Sequence, residues 1–118
     1  MINNVCLAGN LTREPELRST ANGTAVLLFG IAVNERVKQG TEWVDRPNFF
    51  DCKMFGRHAE TLAPMLSKGM KVAVDGRLRY ETWEPEDGGK RSKIVVIANE
   101  VELMQRREER RQDDDIPF

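Results

Sequence analysis

The chain has 118 residues, of which 40% are hydrophobic, enough for one domain around one core. Its formal net charge of −1 at pH 7 gives no overall positive excess of the kind that attracts nucleic acid. No apolar run approaches the ~20 residues of a membrane span, and the opening MINNVCLAGN lacks the basic region of a secretory signal. We therefore expect a cytoplasmic protein in which Cys6 and Cys52 are buried free thiols.

The charge is distributed unevenly. Residues 1–104 hold 14 Lys and Arg against 14 Asp and Glu, and residues 105–112 add four Arg and two Glu before three consecutive Asp at 113–115. A neutral body still binds phosphates if its basic groups gather on one face. Because apolar periodicity stops near Met104, we expect one domain over 1–104 and a disordered charged tail over 105–118.

The body reads mainly as strands. Short apolar runs bounded by turn residues predict strands over 5–11, 25–34, 49–55, 70–79 and 93–103, with Gly76 at a bend or bulge. Two polar connections that contain glycine, residues 36–48 and 84–92, each join two strands of a hairpin most simply. On a small barrel such loops commonly line the ligand groove.

One helix is predicted over residues 57–68. Its apolar residues recur at i, i+3, i+4 and i+7, and Gly69 is a normal stop signal, although Pro64 would remove one hydrogen bond. Three strands, a helix and two more strands are the order of the OB fold. The predicted fold is therefore all-β with one helix, a five-stranded Greek-key barrel whose helix lies between strands 3 and 4.

The strand over 49–55 alternates between two kinds of side chain. One face is apolar and should line the barrel interior, whereas the other carries two phenylalanines and two charges. Exposed rings gain about 1–3 kcal/mol per unpaired base that stacks on them; the alternative is that a loop or a subunit partner covers them. On the charged face, Asp51 would repel phosphate unless it pairs with Lys53 or Arg79 or a bulge turns it away. The interior set is Phe50, Cys52 and Met54, and the outer set is Phe49, Asp51, Lys53 and Phe55.

Trp83 shares its strand face with Arg77, Arg79 and Glu81. A ring among arginines is typical of a surface where bases stack and phosphates pair, although a tryptophan packed at a barrel edge gives the same pattern. Trp43 either reaches the nucleic acid or only staples its own hairpin. The opposite parity of Tyr80 predicts a core position. The candidate phosphate partners that flank these aromatic residues are Arg36, Lys38, Arg46, Lys53, Arg57, Arg77, Arg79, Lys90, Arg91 and Lys93.

The chain ends in DDDIPF, residues 113–118. Its carboxylates and terminal ring suit a partner pocket with an apolar floor and a basic rim. Composition alone would also fit an inert solubilising tail, but solubility does not require a terminal Ile-Pro-Phe. The predicted tip consists of Asp113, Asp114, Asp115, Ile116, Pro117 and Phe118.

Five segments together resemble the bacterial single-stranded DNA-binding protein family over nearly the whole chain: GNLTREPELR, NGTAVLLFGIAVNE, FFDCKMFGR, LSKGMKVAVDGRLR and the terminal DDDIPF. The resemblance implies a homotetramer of OB folds around which single-stranded DNA wraps without sequence preference. It also implies a nucleoid-associated protein whose tip recruits replication, recombination and repair proteins. By this resemblance Phe49, Phe55 and Trp83 match stacking aromatics, and Arg57, Lys68 and Arg79 match basic positions near the DNA path.

The chain departs from this family in two places. Val37 stands where the family often has another aromatic residue, so one stacking site is missing. The usual long linker is replaced by charged residues 105–112, a tether of about eight residues that spans at most ~25–30 Å. Its RREERR segment either extends the last element or contacts phosphates.

Other functions fit the sequence less well. No enzyme is expected, because no catalytic motif, metal-ligand spacing or phosphate-binding glycine loop is present, and no cofactor or metal is implied. The main alternative is an OB-fold adaptor of the primosome type, which acts through protein contacts and binds DNA only weakly. An RNA-binding OB module is a third option.

Overall fold

The computed structural model describes residues 1–104. Strands and helices follow the chain as β1 (Val5–Leu11), β2 (Glu16–Ser19), β3 (Ala25–Gln39), β4 (Glu42–Phe55), α1 (Arg57–Leu62), a 3-10 turn (Ala63–Met65), β5 (Lys71–Trp83) and β6 (Arg91–Leu103). Within this part of the chain, no helix has the length and apolar character needed to cross a membrane.

Five of the strands close into a barrel. The sheet order is β1-β5-β6-β4-β3-β2, and an additional pairing of β1 with β3 joins the two ends of the five-stranded set. β4 and β6 pair in parallel through Cys52 and Val96, whereas the other neighbours are antiparallel. The predicted five-stranded barrel with a helix before its fourth strand is confirmed. The short β2, which pairs only with β3, was not predicted because its charged sequence ELRS lacks an apolar face.

The β3–β4 connection differs from the prediction. Residues 36–48 were expected to form a loop, but β3 runs to Gln39 and β4 begins at Glu42, so the two strands form a long arm. Mostly polar cross-strand pairs continue the ladder beyond the core, and Gly40 supplies the positive φ of 64° that the tight turn requires. The second connection is a true loop over residues 84–90.

The helix is shorter than the predicted span of 57–68. α1 ends at Leu62 and passes into the 3-10 turn that contains Pro64, because proline has no N–H to continue the α-helical hydrogen bonds. Its apolar face is nevertheless as predicted, since Ala59, Leu62 and Leu66 are buried in the core.

The barrel interior is filled by alternating side chains from all five strands. Phe29 on β3 and Val74 on β5 are fully buried there. Cys52 is also buried, and this desolvation, helped by the negative charge of Asp51, raises the pKa of its thiol to about 12. The expectation that Cys6 is buried was wrong, because the odd-numbered residues of β1, such as Leu11, point inward and Cys6 has the opposite parity.

The predicted irregularity at Gly76 is confirmed as a register shift between Asp75 and Gly76 in the β5–β6 ladder. A Cβ atom at Gly76 would lie 2.1 Å from the carbonyl oxygen of Ile97. Only glycine therefore lets β6 approach β5 so closely at this bend.

Candidate nucleic-acid interface

The outer face of β4 carries the aromatic side chains predicted there. Cys52 and Met54 are buried, whereas Phe49 is 70% exposed and Phe55 37% exposed on the opposite face. Phe50 is only partly buried, but it packs against the core as expected. Within residues 1–104, no segment covers Phe49, so its ring is free to contact a ligand.

Side chains of β5 lie on the same outer face as those of β4, with β6 between the two strands. The ammonium group of Lys53 on β4 lies 2.8 Å and 3.0 Å from the two carboxylate oxygens of Glu81 on β5. The Arg79 guanidinium lies over the Phe55 ring, 5.7 Å from its centroid. The surface that results, which we call the aromatic strip, consists of Phe49, Asp51, Lys53, Phe55, Arg79, Glu81, Trp83 and Lys93.

Trp83 lies at the β5 end of the aromatic strip and is 45% exposed. The Lys93 Nζ atom lies 5.9 Å from its ring centroid, within the range of a cation–π contact. A cleft of ≈ 460 Å³ opens beside the ring, between the Lys53–Glu81 ion pair and Lys93. The ring is therefore partly open to solvent and is not packed into the barrel edge.

Asp51 does not pair as expected. Its carboxylate oxygens lie 3.7 Å from Arg13 Nη1 and 3.3 Å from Lys93 Nζ. The predicted partners are engaged elsewhere, because Lys53 pairs with Glu81 and Arg79 lies over a ring. Arg13, in the bend between β1 and β2, is a residue of this site that the sequence reading missed.

The β3–β4 arm carries the third group of candidates. Trp43 is 57% exposed, lies opposite Lys38 and belongs to β4, where a loop was expected. It shares the parity of Phe49 but lies six residues away, about 20 Å along an extended strand. Arg36 pairs weakly with Asp45 at 3.9 Å. The remaining basic residue of the arm, Arg46, lies on the other face of the ribbon.

The other basic candidates are spread around the barrel. Arg77 approaches Asn99 beside Phe55 and lines a small cavity there. Arg57, at the start of α1, borders a groove of ≈ 720 Å³ between the helix and β6. Of the others, Lys68 lies after the helix, where its backbone N–H donates to Glu14, and Lys90 and Arg91 lie at the β5–β6 connection, where Arg91 pairs with Asp87.

Tyr80 is 68% exposed, so the predicted core position is wrong. Residues of its parity point inward at Val72 and Val74, but β5 and β6 continue to a stretch where no other part of residues 1–104 covers Tyr80. Leu78 and Ile94 share this exposed apolar patch with Tyr80. Alternation alone predicts which face a residue occupies and not where the barrel ends.

The predicted tail lies outside the described residues. This applies to residues 105–112 and to the tip Asp113, Asp114, Asp115, Ile116, Pro117 and Phe118, which remain predictions from the sequence.

Known proteins resemble this chain over the same barrel. It is 45% identical over 103 residues to the single-stranded DNA-binding protein of Borreliella burgdorferi, covering 86% of this chain and 69% of that protein. The corresponding protein of Treponema pallidum is 45% identical over 103 residues, covering 87% and 58%. The crystal structure of a deletion mutant of the single-stranded DNA-binding protein from Thermus aquaticus superimposes with a TM-score of 0.79 at 31% identity, covering 90% of this chain and 52% of that one.

The match is therefore to the barrel and covers only part of the relatives' length. Residues 2–104 match the model of the Single-strand binding protein family. That range contains the closed barrel and all of the aromatic strip, and so the chain belongs to the single-strand binding protein family.

Proposed function

We propose that this protein binds single-stranded DNA without sequence preference, through the aromatic strip. The observation that carries the proposal is the exposure of Phe49, Phe55 and Trp83 on one connected face, with Arg79 and Lys93 against two of the rings. Such a combination of rings and cations suits a strand whose bases are unpaired.

Stacking supplies the selectivity for single strands. Each unpaired base that stacks on an exposed ring contributes about 1–3 kcal/mol, and every base has a face to offer. In a duplex the bases are already stacked and paired, so the rings gain nothing from it. Members of this family bind single-stranded DNA and are not enzymes. The proposed role of the aromatic strip is therefore binding alone, with no chemical reaction.

Phosphate contacts would make the affinity depend on salt. The cations closest to the rings are Arg79 and Lys93, with Arg77 nearby at the edge of Phe55. Arg57 follows Phe55 by two residues, at the start of α1. Each phosphate that the protein neutralises on a single strand makes log K fall by about a further 0.7 for every tenfold rise in salt concentration. The remaining candidates, on the arm and at the β5–β6 connection, would extend the path: Arg36, Lys38, Arg46, Lys90 and Arg91, with Trp43 as a further stacking ring.

A homotetramer is part of the proposal. The family resemblance implies it, and the exposed apolar patch of Leu78, Tyr80 and Ile94 is surface that association would bury. DNA would then pass from one barrel to the next. Sedimentation of the full chain tests this: a tetramer is expected, and a monomer at micromolar concentration would contradict it.

The tail would recruit partner proteins that act in replication, recombination and repair, in the cytoplasm and at the nucleoid. Its tip, residues 113–118, combines three carboxylates with a terminal Phe118, and the tether would raise the local concentration of its partners at the DNA. We also propose that the tip competes with DNA for basic groups in the free protein. Deleting residues 113–118 should then tighten DNA binding at low salt, and an unchanged affinity would refute the competition.

The RREERR segment, residues 106–111, would add phosphate contacts. Its deletion should make the salt dependence of DNA binding shallower, because the four arginines would no longer release counterions. An unchanged slope would refute this role.

Titration with oligo-dT of increasing length, followed by tryptophan fluorescence, tests the main proposal. We expect strong quenching by oligo-dT and none by a duplex of matched length, since only unpaired bases stack on Trp83. The length at saturation gives the footprint. Equal responses to both ligands, or no response to either, would favour the adaptor alternative.

A further inference from the structure

The centre of the aromatic strip carries a carboxylate. Asp51 lies on the outer face of β4, two residues after Phe49 and two before Lys53. Its carboxylate lies 3.7 Å from Arg13 Nη1 and 3.3 Å from Lys93 Nζ, and the three side chains are 49%, 49% and 44% exposed. One anion therefore faces two cations that come from different elements, the bend after β1 and the strand β6.

This cluster lies on the route between two of the rings. β6 runs between β4 and β5, and Lys93 on β6 contacts both the Asp51 carboxylate and the Trp83 ring. A strand with bases stacked on Phe49 and Trp83 would bring its sugar-phosphate chain close to Lys93, and so close to the Asp51 carboxylate that Lys93 contacts. A phosphate at that point is repelled by the carboxylate and attracted by Lys93 and Arg13.

The Asp51 contacts are weak enough to exchange. Their lengths of 3.3 Å and 3.7 Å exceed the about 2.7–2.9 Å of a strong charge-assisted hydrogen bond. Half-exposed ion pairs of this kind contribute little to stability, because water screens them. The neighbouring Lys53–Glu81 pair differs, since both its N–O distances are 3.0 Å or less and its side chains are only 27% and 21% exposed.

A glycine makes the cluster possible. Gly30 lies opposite Asp51 in the β3–β4 ladder. A Cβ atom there would lie 2.8 Å from Arg13 Nη1 and 2.7 Å from Thr12 Oγ1. Because Gly30 has no side chain, Arg13 can cross β3 at this position and reach the Asp51 carboxylate. Gly30→Ala should therefore displace Arg13 and leave Asp51 in place.

We propose that Asp51 holds the place of a DNA phosphate in the unbound protein, and that a phosphate displaces it from Arg13 and Lys93 when single-stranded DNA binds. The inference rests on the proposed function and adds a residue that sets its strength. Because the displaced carboxylate stays beside the bound phosphate and offsets part of the positive charge of the two cations, fewer counterions are released from the DNA. Asp51 therefore lowers both the affinity and its salt dependence.

The test compares the full-length wild type with Asp51→Asn, using oligo-dT over a series of NaCl concentrations. We expect Asp51→Asn to bind about fivefold tighter at low salt, with a log K against log salt slope steeper by about 0.7. Asp75→Asn is the matched control, because Asp75 is an exposed carboxylate on β5 that forms no ion pair within residues 1–104. It should leave the slope unchanged.

The outcomes separate the two proposals. If the wild type binds oligo-dT and Asp51→Asn binds no tighter, the role of Asp51 is wrong and the proposed function stands. If Asp75→Asn gained as much affinity and slope as Asp51→Asn, the role of Asp51 would also be wrong, since the effect would come from net charge alone. A wild type that fails to bind oligo-dT would remove the proposed function and this inference together.

Thermal melts of Asp51→Asn show whether this variant folds. A second variant, Gly30→Ala, tests the same cluster by displacing Arg13 instead of removing the carboxylate. Losing Arg13 while keeping the carboxylate should weaken binding and make the salt slope shallower by about 0.7. A folded Gly30→Ala variant with wild-type affinity and slope would show that Arg13 takes no phosphate.

Discussion

The Arg79 guanidinium lies 5.7 Å from the centroid of the Phe55 ring, although the two residues belong to strands that do not pair with each other. β4 and β5 both border β6, and the Arg79 side chain reaches across β6 to the Phe55 ring. In the proposed complex, a base that reaches Phe55 would therefore meet a cation that lies over the same ring. Stacking and phosphate pairing would thus occur at one place.

Arg79→Ala should lower both the affinity for oligo-dT and the salt slope, the latter by about 0.7 if one phosphate contact is lost. Arg79→Lys should keep the slope while losing part of the affinity, because lysine keeps the charge but not the planar stacking surface. Binding isotherms at several salt concentrations measure both quantities. Lys71→Ala, an exposed change at the far end of β5, is the control, and an equal slope change there would contradict a local role for Arg79.

Phe49→Ala should weaken binding to oligo-dT by about 1–3 kcal/mol, or roughly 5-fold to 150-fold in Kd. Because the ring is 70% exposed, we expect the free energy of unfolding to change by less than about 0.5 kcal/mol. The matched change in the core, Phe29→Ala, should instead cost about 3–5 kcal/mol of stability. Denaturant melts and DNA titrations of both variants separate the two effects, and a large loss of stability in Phe49→Ala would mean that the ring is structural.

Cys52 should make the protein less stable at alkaline pH. Burial raises the pKa of its thiol from 9.0 to about 12, so the folded chain holds the proton more tightly than the unfolded chain. Its contribution is therefore complete below pH 9 and is lost as the pH rises from 9 to about 12. In a Cys6→Ser background, unfolding free energies across that range should fall more steeply with Cys52 than with Cys52→Ala; parallel profiles would contradict the burial of the thiol.

Gly76→Ala should destabilise the barrel by about 3 kcal/mol, because a Cβ at this bulge meets backbone that cannot move aside cheaply. Gly40→Ala is a useful comparison, since open space surrounds Gly40 and only its positive φ opposes the change. That strain should cost about 1 kcal/mol. Thermal unfolding of the two variants compares them, and an equal or smaller loss for Gly76→Ala would show that the β5–β6 contact relaxes easily.

Strand alternation predicted the most useful part of the site. The period of two assigned Phe49 and Phe55 to the outer face and Cys52 and Met54 to the interior, and the structure agrees. It also placed Arg79 and Trp83 on one face of the next strand. These assignments depend only on neighbours within one strand, which is why a single sequence carries them.

Relationships between distant segments could not be predicted in the same way. The pairing of Asp51 with Lys93 depends on β6 lying beside β4, and its pairing with Arg13 depends on a side chain that crosses Gly30. The exposure of Tyr80 depends on where the barrel ends. No local sequence pattern predicts these three relationships.

Quenching of Trp83 alone is the most direct test of single-stranded DNA binding at the aromatic strip. In a Trp43→Phe variant the only tryptophan left is Trp83, so its emission reports contact at the aromatic strip and nowhere else. We predict strong quenching by oligo-dT, reversed by high salt, with no quenching by matched duplex. If oligo-dT binds this variant and the emission stays unchanged, unpaired bases do not stack on Trp83 and the strip is not the DNA-binding surface.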